Sequence, residues 1–334
     1  MTQFSLSRTT RESRVAGAAA LIVLAALIAA PWWAPSSFLH LAGEFAVYLA
    51  LATLWNLLAG YSGLVSVGQQ AYVGLGGYLT FCLALFLGVH PVLAVPLAGL
   101  VAAVIAIPVA ALVFRLQGAY FAIGTWVIAE VFRLIAAQAT FLGGGSGISL
   151  PASVTKMLGG KWAREASIFW LALALGAGCL ALVYLLLRSR IGLALTAIRD
   201  SETASASLGI RIDRVKHLLY ITVAGLTSMI GALICLQKLR VSPDASFSVN
   251  DWTAFVIFIV VIGGIGTIEG PIVGTLIYFL LREFLADFGT LYLLFLGSLA
   301  IVVMLVAPKG LWGYVQTRFG WSLFPVGYRI HFKD

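Results

Sequence analysis

Charged side chains are scarce in this sequence. Only 10% of the 334 residues are Asp, Glu, Lys or Arg, whereas 61% are hydrophobic, and the mean hydropathy is +1.02. A soluble globular domain carries about 25% charged residues and about 45–50% apolar ones, so a soluble protein of this composition would lack the polar groups to cover its surface. In lipid an apolar exterior is stable, provided that helices satisfy the backbone polar groups. The composition therefore predicts an all-α, polytopic membrane protein.

Residues that carry chemistry are equally sparse. The three cysteines, Cys82, Cys179 and Cys235, lie in apolar stretches and are expected to be small buried residues without a disulfide or metal framework. The four histidines show no ligand spacing, and the glycine-rich residues 143–147 lack the lysine of a phosphate-binding loop. We therefore expect this chain to hold no catalytic residue, no metal and no cofactor.

The formal net charge of +8 has two interpretations. In a soluble protein it would suggest nucleic-acid binding. In a membrane protein, Lys and Arg instead accumulate in cytoplasmic segments, and most of the 21 here fall in alternate connections. This bias predicts cytoplasmic tails at 1–14 and 308–334, a cytoplasmic loop at 188–216, and outside loops at 139–165 and 238–251. We expect a multi-pass protein of the bacterial inner membrane, in contact with lipid and not with nucleic acid.

The apolar runs set the number of membrane spans. A spanning helix needs roughly 20 residues, so the chain has room for about ten spans in a single transmembrane domain over residues 1–334. The eighth and ninth spans are short and are separated by the glycine-rich residues 263–270. Each of the two is therefore either a continuous span or a broken one. The predicted spans are 15–34, 38–58, 64–87, 91–114, 119–138, 166–187, 217–237, 252–266, 271–287 and 290–307.

The loop 188–216 predicts a helix, a turn and a second helix at the membrane surface. Residues 191–199 form the first helix, with Leu195 and Ile198 on one face. Asp200 or Ser201 is positioned to cap the second helix. In its first turn Glu202 would face the positive end of the helix dipole. Its far end falls at Gly209, which permits a left-handed turn.

Three segments together resemble a known family. Residues 202–209, Glu-Thr-Ala-Ser-Ala-Ser-Leu-Gly, resemble the Glu-Ala-Ala…Gly coupling loop of the permease subunits of bacterial ABC importers. Residues 192–202 are similar to those of one branch, the LivM-type permeases associated with branched-chain amino acid uptake. Glycine-rich residues 60–78 and 262–274 are similar to an early and a late segment of that branch, although Gln70 stands where a small residue is more usual. The resemblance runs from about residue 44 to 310.

The resemblance implies a permease subunit of an ATP-driven importer. Its partners would be ABC ATPase subunits that use the ATP, a second, homologous but different permease chain, and a periplasmic binding protein that delivers branched-chain or other small amino acids. Urea and short amides, carried by relatives in the family, stay open as solutes, and an ion-coupled secondary transporter is the rival class. The residues implied in coupling to the ATPase are Gly192, Arg199, Asp200, Glu202, Ala204, Leu208 and Gly209.

Polar and glycine residues inside spans are the candidates for the solute path. Glycine-rich stretches serve either close helix packing or an unwound segment along the path. Glu130 and Arg133 share a helix face, as a structural ion pair toward the bundle interior or as path residues. Near the span ends, Glu44 is expected at the interface, and Arg282 is expected to extend to water or to a binding protein. The path candidates are Ser66, Gln69, Gln70, Tyr72, Glu130, Arg133, Gly263, Gly264 and Gly266.

Overall fold

The computed structural model of the protein describes residues 4–7, 11–285, 288, 291–321, 323–326 and 329–332. Helices dominate, as the sequence predicts. They are α1 (Arg11–Ile28), α2 (Ala30–Trp33), α3 (Ser36–Ser62), α4 (Gln69–Phe86), α5 (Pro91–Val113), α6 (Ala119–Gln138), α7 (Ala152–Met157), α8 (Lys161–Leu187), α9 (Arg190–Asp200), α10 (Glu202–Ser207), α11 (Ile212–Lys238), α12 (Pro243–Ser246), α13 (Phe255–Gly263), α14 (Glu269–Leu285), α15 (Leu291–Val306) and α16 (Gly310–Phe319). The short strands are β1 (Phe4–Ser7), β2 (Ile148–Ser149), β3 (Arg240–Val241) and β4 (Arg329–Phe332).

Seven helical segments of the described chain are long and apolar enough to cross a membrane. The other predicted spans correspond to α1, α4 and α14, whose 18, 18 and 17 residues are near the lower limit of roughly 17–25 for a bilayer. The fold is an all-α, polytopic membrane bundle, while the count of about ten spans and the cytoplasmic position of both ends stay predictions. The seven segments are Ser36–Ser62, Pro91–Val113, Ala119–Gln138, Lys161–Leu187, Ile212–Lys238, Pro243–Gly263 and Leu293–Phe319.

Helices α3 and α11 form the centre of the bundle. In each, 72% of the most apolar stretch is buried, against 28% in α8 and 22% in α6. Helix α11 packs against α4 and α5, and α3 packs against α8, α13 and α14. A helix that is apolar on all sides is stable only when it is buried or faces lipid, so the peripheral helices are those with faces available for lipid.

The contact between α4 and α11 depends on glycine. A Cβ atom at Gly76 would lie 1.9 Å from the carbonyl oxygen of Ser228, and one at Gly231 would lie 2.0 Å from that of Val73. Any side chain at either position would force the two helices apart, because both obstacles are backbone atoms. This close packing holds the polar start of α4 against the centre of the bundle.

Helices α13 and α14 are separated by an irregular connection at 264–268. Helix α13 continues from a π-helical turn, Asn250–Ala254, and ends where Gly264 adopts φ +135°, a conformation that only glycine adopts readily. Helix α14 begins at Glu269 and carries Pro271 in its first turn, where proline is tolerated. The helix is therefore broken between the eighth and ninth predicted spans, which is one of the two outcomes that the glycine run left open.

Two strand pairs connect distant parts of the chain. Ile148 and Ser149 of β2 pair with Val241 and Arg240 of β3. This pairing joins the two connections that the charge bias assigns to the outside. Strand β1 pairs antiparallel with β4 and brings the two ends of the described chain together.

Several predicted span boundaries differ from the structure, and two of the differences have a clear local cause. The span expected over 64–87 starts later, at Gln69, because Gly63 ends α3 in the left-handed conformation and the chain is irregular as far as Gly68. The span expected over 166–187 starts earlier, at Lys161, because α8 begins with a polar turn before its apolar stretch.

Candidate functional site

Helix α9 lies across the ends of three membrane helices. The Ser189 hydroxyl accepts a hydrogen bond from the Ile191 N–H at 3.2 Å, which caps the helix start. Leu195 and Ile198 are fully buried against the bundle, while Leu193 on the other side is exposed. Helix α9 therefore rests on α3, α8 and α11 as the amphipathic helix that the sequence predicts.

Helix α10 projects beyond α9 and is capped at both ends. The Ser201 hydroxyl accepts a hydrogen bond from the Ala204 N–H at 3.3 Å, so Ser201 and not Asp200 is the cap. At the other end the Ile210 N–H donates to the Ser205 carbonyl at 3.1 Å, and Gly209 adopts φ +80°. This is the Schellman arrangement, in which the left-handed position favours glycine.

The outer surface of α10 is open to a partner. Glu202, Ala204 and Gly209 are exposed, and Leu208 is 79% exposed, an unusual position for a large apolar side chain. The Lys216 ammonium contacts the Glu202 carboxylate at 2.5 Å and so ties α10 to the start of α11. A short, rigid helix with an apolar tip therefore stands out from the bundle.

Gly192 has a different position from the other residues predicted for coupling. It is buried, and a Cβ atom there would lie 2.3 Å from the Leu187 carbonyl oxygen. The glycine allows the chain to turn sharply from α8 into α9. Its contact with α8 is a structural one, and the residue offers no surface to a partner.

Arg199 joins α9 to the end of α3. Its guanidinium donates to the Gly60 carbonyl at 2.9 Å and to the Asp200 carboxylate at 3.0 and 3.1 Å. Gly60 in turn lies against the break between α13 and α14, because a Cβ atom there would be 2.5 Å from the Gly266 nitrogen. With only a hydrogen atom in place of a side chain at Gly60, the two backbones pack directly against each other, so a displacement of one is expected to press on the other.

Asn56 makes the second link between α3 and the break. Its side-chain oxygen accepts from the Gly266 N–H at 2.8 Å, and its side-chain nitrogen donates to the Thr267 carbonyl at 2.7 Å. The side chain is almost fully buried and satisfies two backbone groups that lie outside any helix. Arg199, Gly60 and Asn56 thus form a continuous connection from α9 to the broken helix.

Three of the predicted path residues meet in the interior. Ser66, Gln69 and Tyr72 line a cavity of about 20 Å³ together with Tyr220 and Thr227. The Gln69 side-chain nitrogen donates to the Leu51 carbonyl at 3.0 Å, and the Tyr72 and Tyr220 hydroxyls are 3.2 Å apart. Among the described residues the Gln69 side-chain oxygen has no hydrogen-bond partner. The polar lining exists, but the cavity is far too small for an amino acid, so the interior is closed here.

Gln70 is turned away from this cavity. Its side-chain oxygen accepts a hydrogen bond from the Thr253 hydroxyl, which joins α4 to the π-helical turn. Both residues are buried. Gln70 therefore connects α4 to the segment that leads into the broken helix.

Glu130 and Arg133 form the ion pair that their spacing predicts, but not in the bundle interior. The pair closes at 2.6 Å on a partly exposed face of α6, and Arg133 also contacts Asp244 at 2.7 Å. Neither residue lines the cavity around Tyr72. The reason is the position of α6, which is peripheral, so that its polar face contacts Asp244 of α12 instead of the centre.

Comparison with known proteins identifies the class of the chain. A family described as the permease component of branched-chain amino acid transport systems matches residues 37–307. The chain belongs to this family. It is 31% identical to the high-affinity branched-chain amino acid transport system permease protein LivM of Escherichia coli, over 87% of this chain and 73% of the relative.

Two further relatives in this permease family carry similar names. The LivM protein of Salmonella typhimurium is 29% identical, over 87% of this chain and 73% of the relative. A probable branched-chain amino acid transport permease protein LivM of Methanocaldococcus jannaschii is 24% identical, over 80% of this chain and 90% of the relative. No solved structure matches the chain.

The structure of this permease adds contacts that the sequence did not predict. Asn56 was one polar residue in a long apolar helix, and its contacts are 210 and 211 positions away. Arg282 donates to both carboxylate oxygens of Glu44 at 2.7 and 2.8 Å, a pairing that the sequence did not predict. Within the described parts of the chain, no group of three His, Cys, Asp or Glu residues is arranged to hold a metal.

Proposed function

We propose that this permease subunit imports branched-chain amino acids in an ATP-driven complex, and that α10 receives the movement of the ATPase. The observation that carries the proposal is the connection from an exposed, doubly capped helix to the broken helix through Arg199, Gly60 and Asn56. The names of the relatives favour branched-chain amino acids over urea or short amides as the solute.

The mechanism follows from the rigidity of this connection. A cleft of the ATPase subunit would hold α10 by its apolar tip at Leu208 and by Glu202. Closure of two ATPase subunits on ATP would then displace α9, and with it the end of α3 and the break at Gly266. Since packed elements have discrete arrangements, such a displacement switches the bundle between two states, with the closed cavity around Tyr72 opening in one of them.

We propose positions for the remaining partners from the two ends of the bundle. ATP is bound by the ATPase subunits and not by this chain. A periplasmic binding protein would deliver solute to the connections joined by β2 and β3, at the end of the bundle opposite α10. A second permease chain, homologous but different, would complete the path within the inner membrane. Ion-coupled transport is disfavoured because Glu130 is held by Arg133 and is remote from the interior cavity.

The test is the recovery of an ATPase with the permease. The chain carries a tag, is expressed with its neighbouring operon products and is purified in mild detergent. We expect the ATPase to co-purify with the wild type and to be lost from the combined variant Glu202→Lys and Gly209→Val. Valine at a left-handed position is strained by about 1–2 kcal/mol and would unwind the end of α10.

Gly88→Val is the matched control. Gly88 also has positive φ, at +62°, and open space around its Cβ position, but it lies between α4 and α5 at the other end of the bundle. It carries the same strain without touching α10, so its ATPase recovery should equal that of the wild type. Equal recovery with the Glu202 and Gly209 variant would refute the assignment of α10, and amino acid uptake by the isolated chain along an ion gradient would refute ATP coupling.

A further inference from the structure

A large cavity opens at the end of the bundle opposite α10. It measures about 640 Å³ and lies between the starts of α3 and α15, the ends of α11 and α14, and the π-helical turn. Small-molecule sites have volumes of about 300–1,000 Å³, so its size suits a solute the size of an amino acid. It does not include any of the path residues predicted from the sequence.

The charged residues of this cavity are of both signs, and only two of them neutralise each other. Arg282 and Glu44 form a two-bonded ion pair at 2.7 and 2.8 Å. Lys238 and Asp251 also line the cavity, and no ion pair within 4.0 Å is found for either among the described residues. The Lys238 ammonium lies 5.1 Å from the ring centre of Trp252. One cation and one anion are thus available to a ligand.

The floor of the cavity is aromatic. The rings of Tyr48 and Trp252 stack with centres 6.0 Å apart, and Tyr278 lies 5.3 Å from both Tyr48 and Phe255. All four residues line the cavity. Such a surface favours an apolar group of a ligand, and it lowers the local dielectric so that nearby charges interact more strongly.

The π-helical turn Asn250–Ala254 positions the two residues that matter most. This wider turn places Asp251 and Trp252 in the wall of the cavity, and single π-helical turns inside helices occur frequently at functional sites. The Trp252 ring nitrogen donates to the Ala245 carbonyl at 2.8 Å, which fixes the ring. The wall is therefore held in place before any ligand arrives.

We infer that this cavity binds a free, zwitterionic α-amino acid with an apolar side chain. Lys238 faces the carboxylate, Asp251 faces the ammonium group, and the aromatic floor receives the side chain. A ligand with a single charge would leave one of the two protein charges without a partner, and this selects for the zwitterion. The inference rests on the proposed function and adds where on this subunit the imported solute binds.

The test measures binding of tritiated L-leucine to the purified transporter complex without binding protein, in nanodiscs of phosphatidylglycerol. The competitors are 3-methylbutylamine, which is leucine without its carboxylate, and 4-methylpentanoate, which is leucine without its ammonium group. In the wild type we expect both to compete at least about tenfold more weakly than leucine, since each loses one charge-assisted contact.

Two variants of the cavity should each remove a different part of this selectivity. Lys238→Met should weaken the binding of leucine to the level of 3-methylbutylamine and leave the binding of that amine unchanged. Asp251→Asn should weaken the binding of leucine to the level of 4-methylpentanoate and leave the binding of that acid unchanged. Lys161→Met is the matched control, because Lys161 is an exposed lysine outside the cavity, and it should bind all three ligands as the wild type does.

Four results would overturn the inference, and three of them concern the ligands and variants. They are no leucine binding to the wild type up to about 10 mM, wild-type binding in both variants, or an equal loss of all three ligands in both. Loss of leucine binding when phosphatidylethanolamine replaces phosphatidylglycerol would also overturn it, by assigning the cavity to a lipid headgroup. Absence of ATP-driven leucine uptake by the intact wild-type system would instead refute the proposed function.

Discussion

Replacement of Asn56 by alanine tests the connection between α3 and the broken helix most directly. The side chain makes two hydrogen bonds to the backbone of the break, one to the Gly266 N–H and one from its own nitrogen to the Thr267 carbonyl. No other side chain in the described structure hydrogen-bonds to these two backbone groups. Asn56→Ala therefore removes the specific attachment of the break while α3 itself keeps its helical hydrogen bonds.

The size of the effect follows from the two groups left without partners. A buried polar group that loses its partner costs about 1–3 kcal/mol. Gly266 and Thr267 are only partly buried, so water reaches them in part and the lower values apply. A total of about 2–3 kcal/mol corresponds to a factor of roughly 30–150 in the equilibrium between the attached and the detached break.

The assay compares ATP hydrolysis with amino acid uptake in proteoliposomes that contain the complete transporter. We expect Asn56→Ala to retain ATP hydrolysis within about twofold and to lose at least about tenfold in amino acid transported per ATP, because the ATPase still docks on α10. The control is Thr53→Val on the same helix, since the Thr53 hydroxyl bonds only within α3, to Leu49 at 2.7 Å. An unchanged transport ratio in Asn56→Ala would show that the break is not driven through α3.

Two further substitutions test the same structure at other points. Arg199→Met removes the guanidinium that donates to the Gly60 carbonyl, and it should lower the amount of amino acid transported per ATP by about tenfold without loss of ATPase binding. The control is Arg190→Met, at the exposed start of α9, which should leave the amount transported per ATP unchanged. Gly231→Ala places a methyl group 2.0 Å from the Val73 carbonyl oxygen and should destabilise the complex by about 1–3 kcal/mol, measured as a lower melting temperature. The control is Gly178→Ala, which lies in open space on α8 and should leave the melting temperature unchanged. Equal melting temperatures of the two variants would contradict the packing argument.

Local rules predicted the local features of the candidate site. Asp200 and Ser201 were both predicted as possible caps of α10, and Ser201 is the residue that caps it. A glycine just beyond a helix is typical of a helix C-terminus, and Gly209 has the left-handed conformation that ends α10. The glycine run before Pro271 left the eighth and ninth spans either continuous or broken, and the helix is broken there. Each of these depends on residues within one or two turns of one another.

Long-range contacts could not be predicted in the same way. Asn56 and Glu44 are polar residues in apolar surroundings, which signals that each has a partner, but their partners are more than 200 positions away. Residue type also leaves the role open. Gly192 and Gly209 both matched the family pattern, yet one is buried against the Leu187 backbone and the other has open space around it. Only the packing of α8 against α9 distinguishes a packing glycine from a capping glycine.

The arrangement explains how a short helix at the surface would control the centre of the bundle, as proposed. Helix α10 is too small to reach the interior, and α9 contacts only the ends of the membrane helices. Arg199, however, holds the last turn of α3, and that turn touches Gly266 with no side chain between the two backbones. Because α3 is among the most buried helices, a displacement of its end cannot be absorbed by lipid-facing movement. It has to be transmitted either to the break or along α3, which carries Glu44 at the cavity opposite α10.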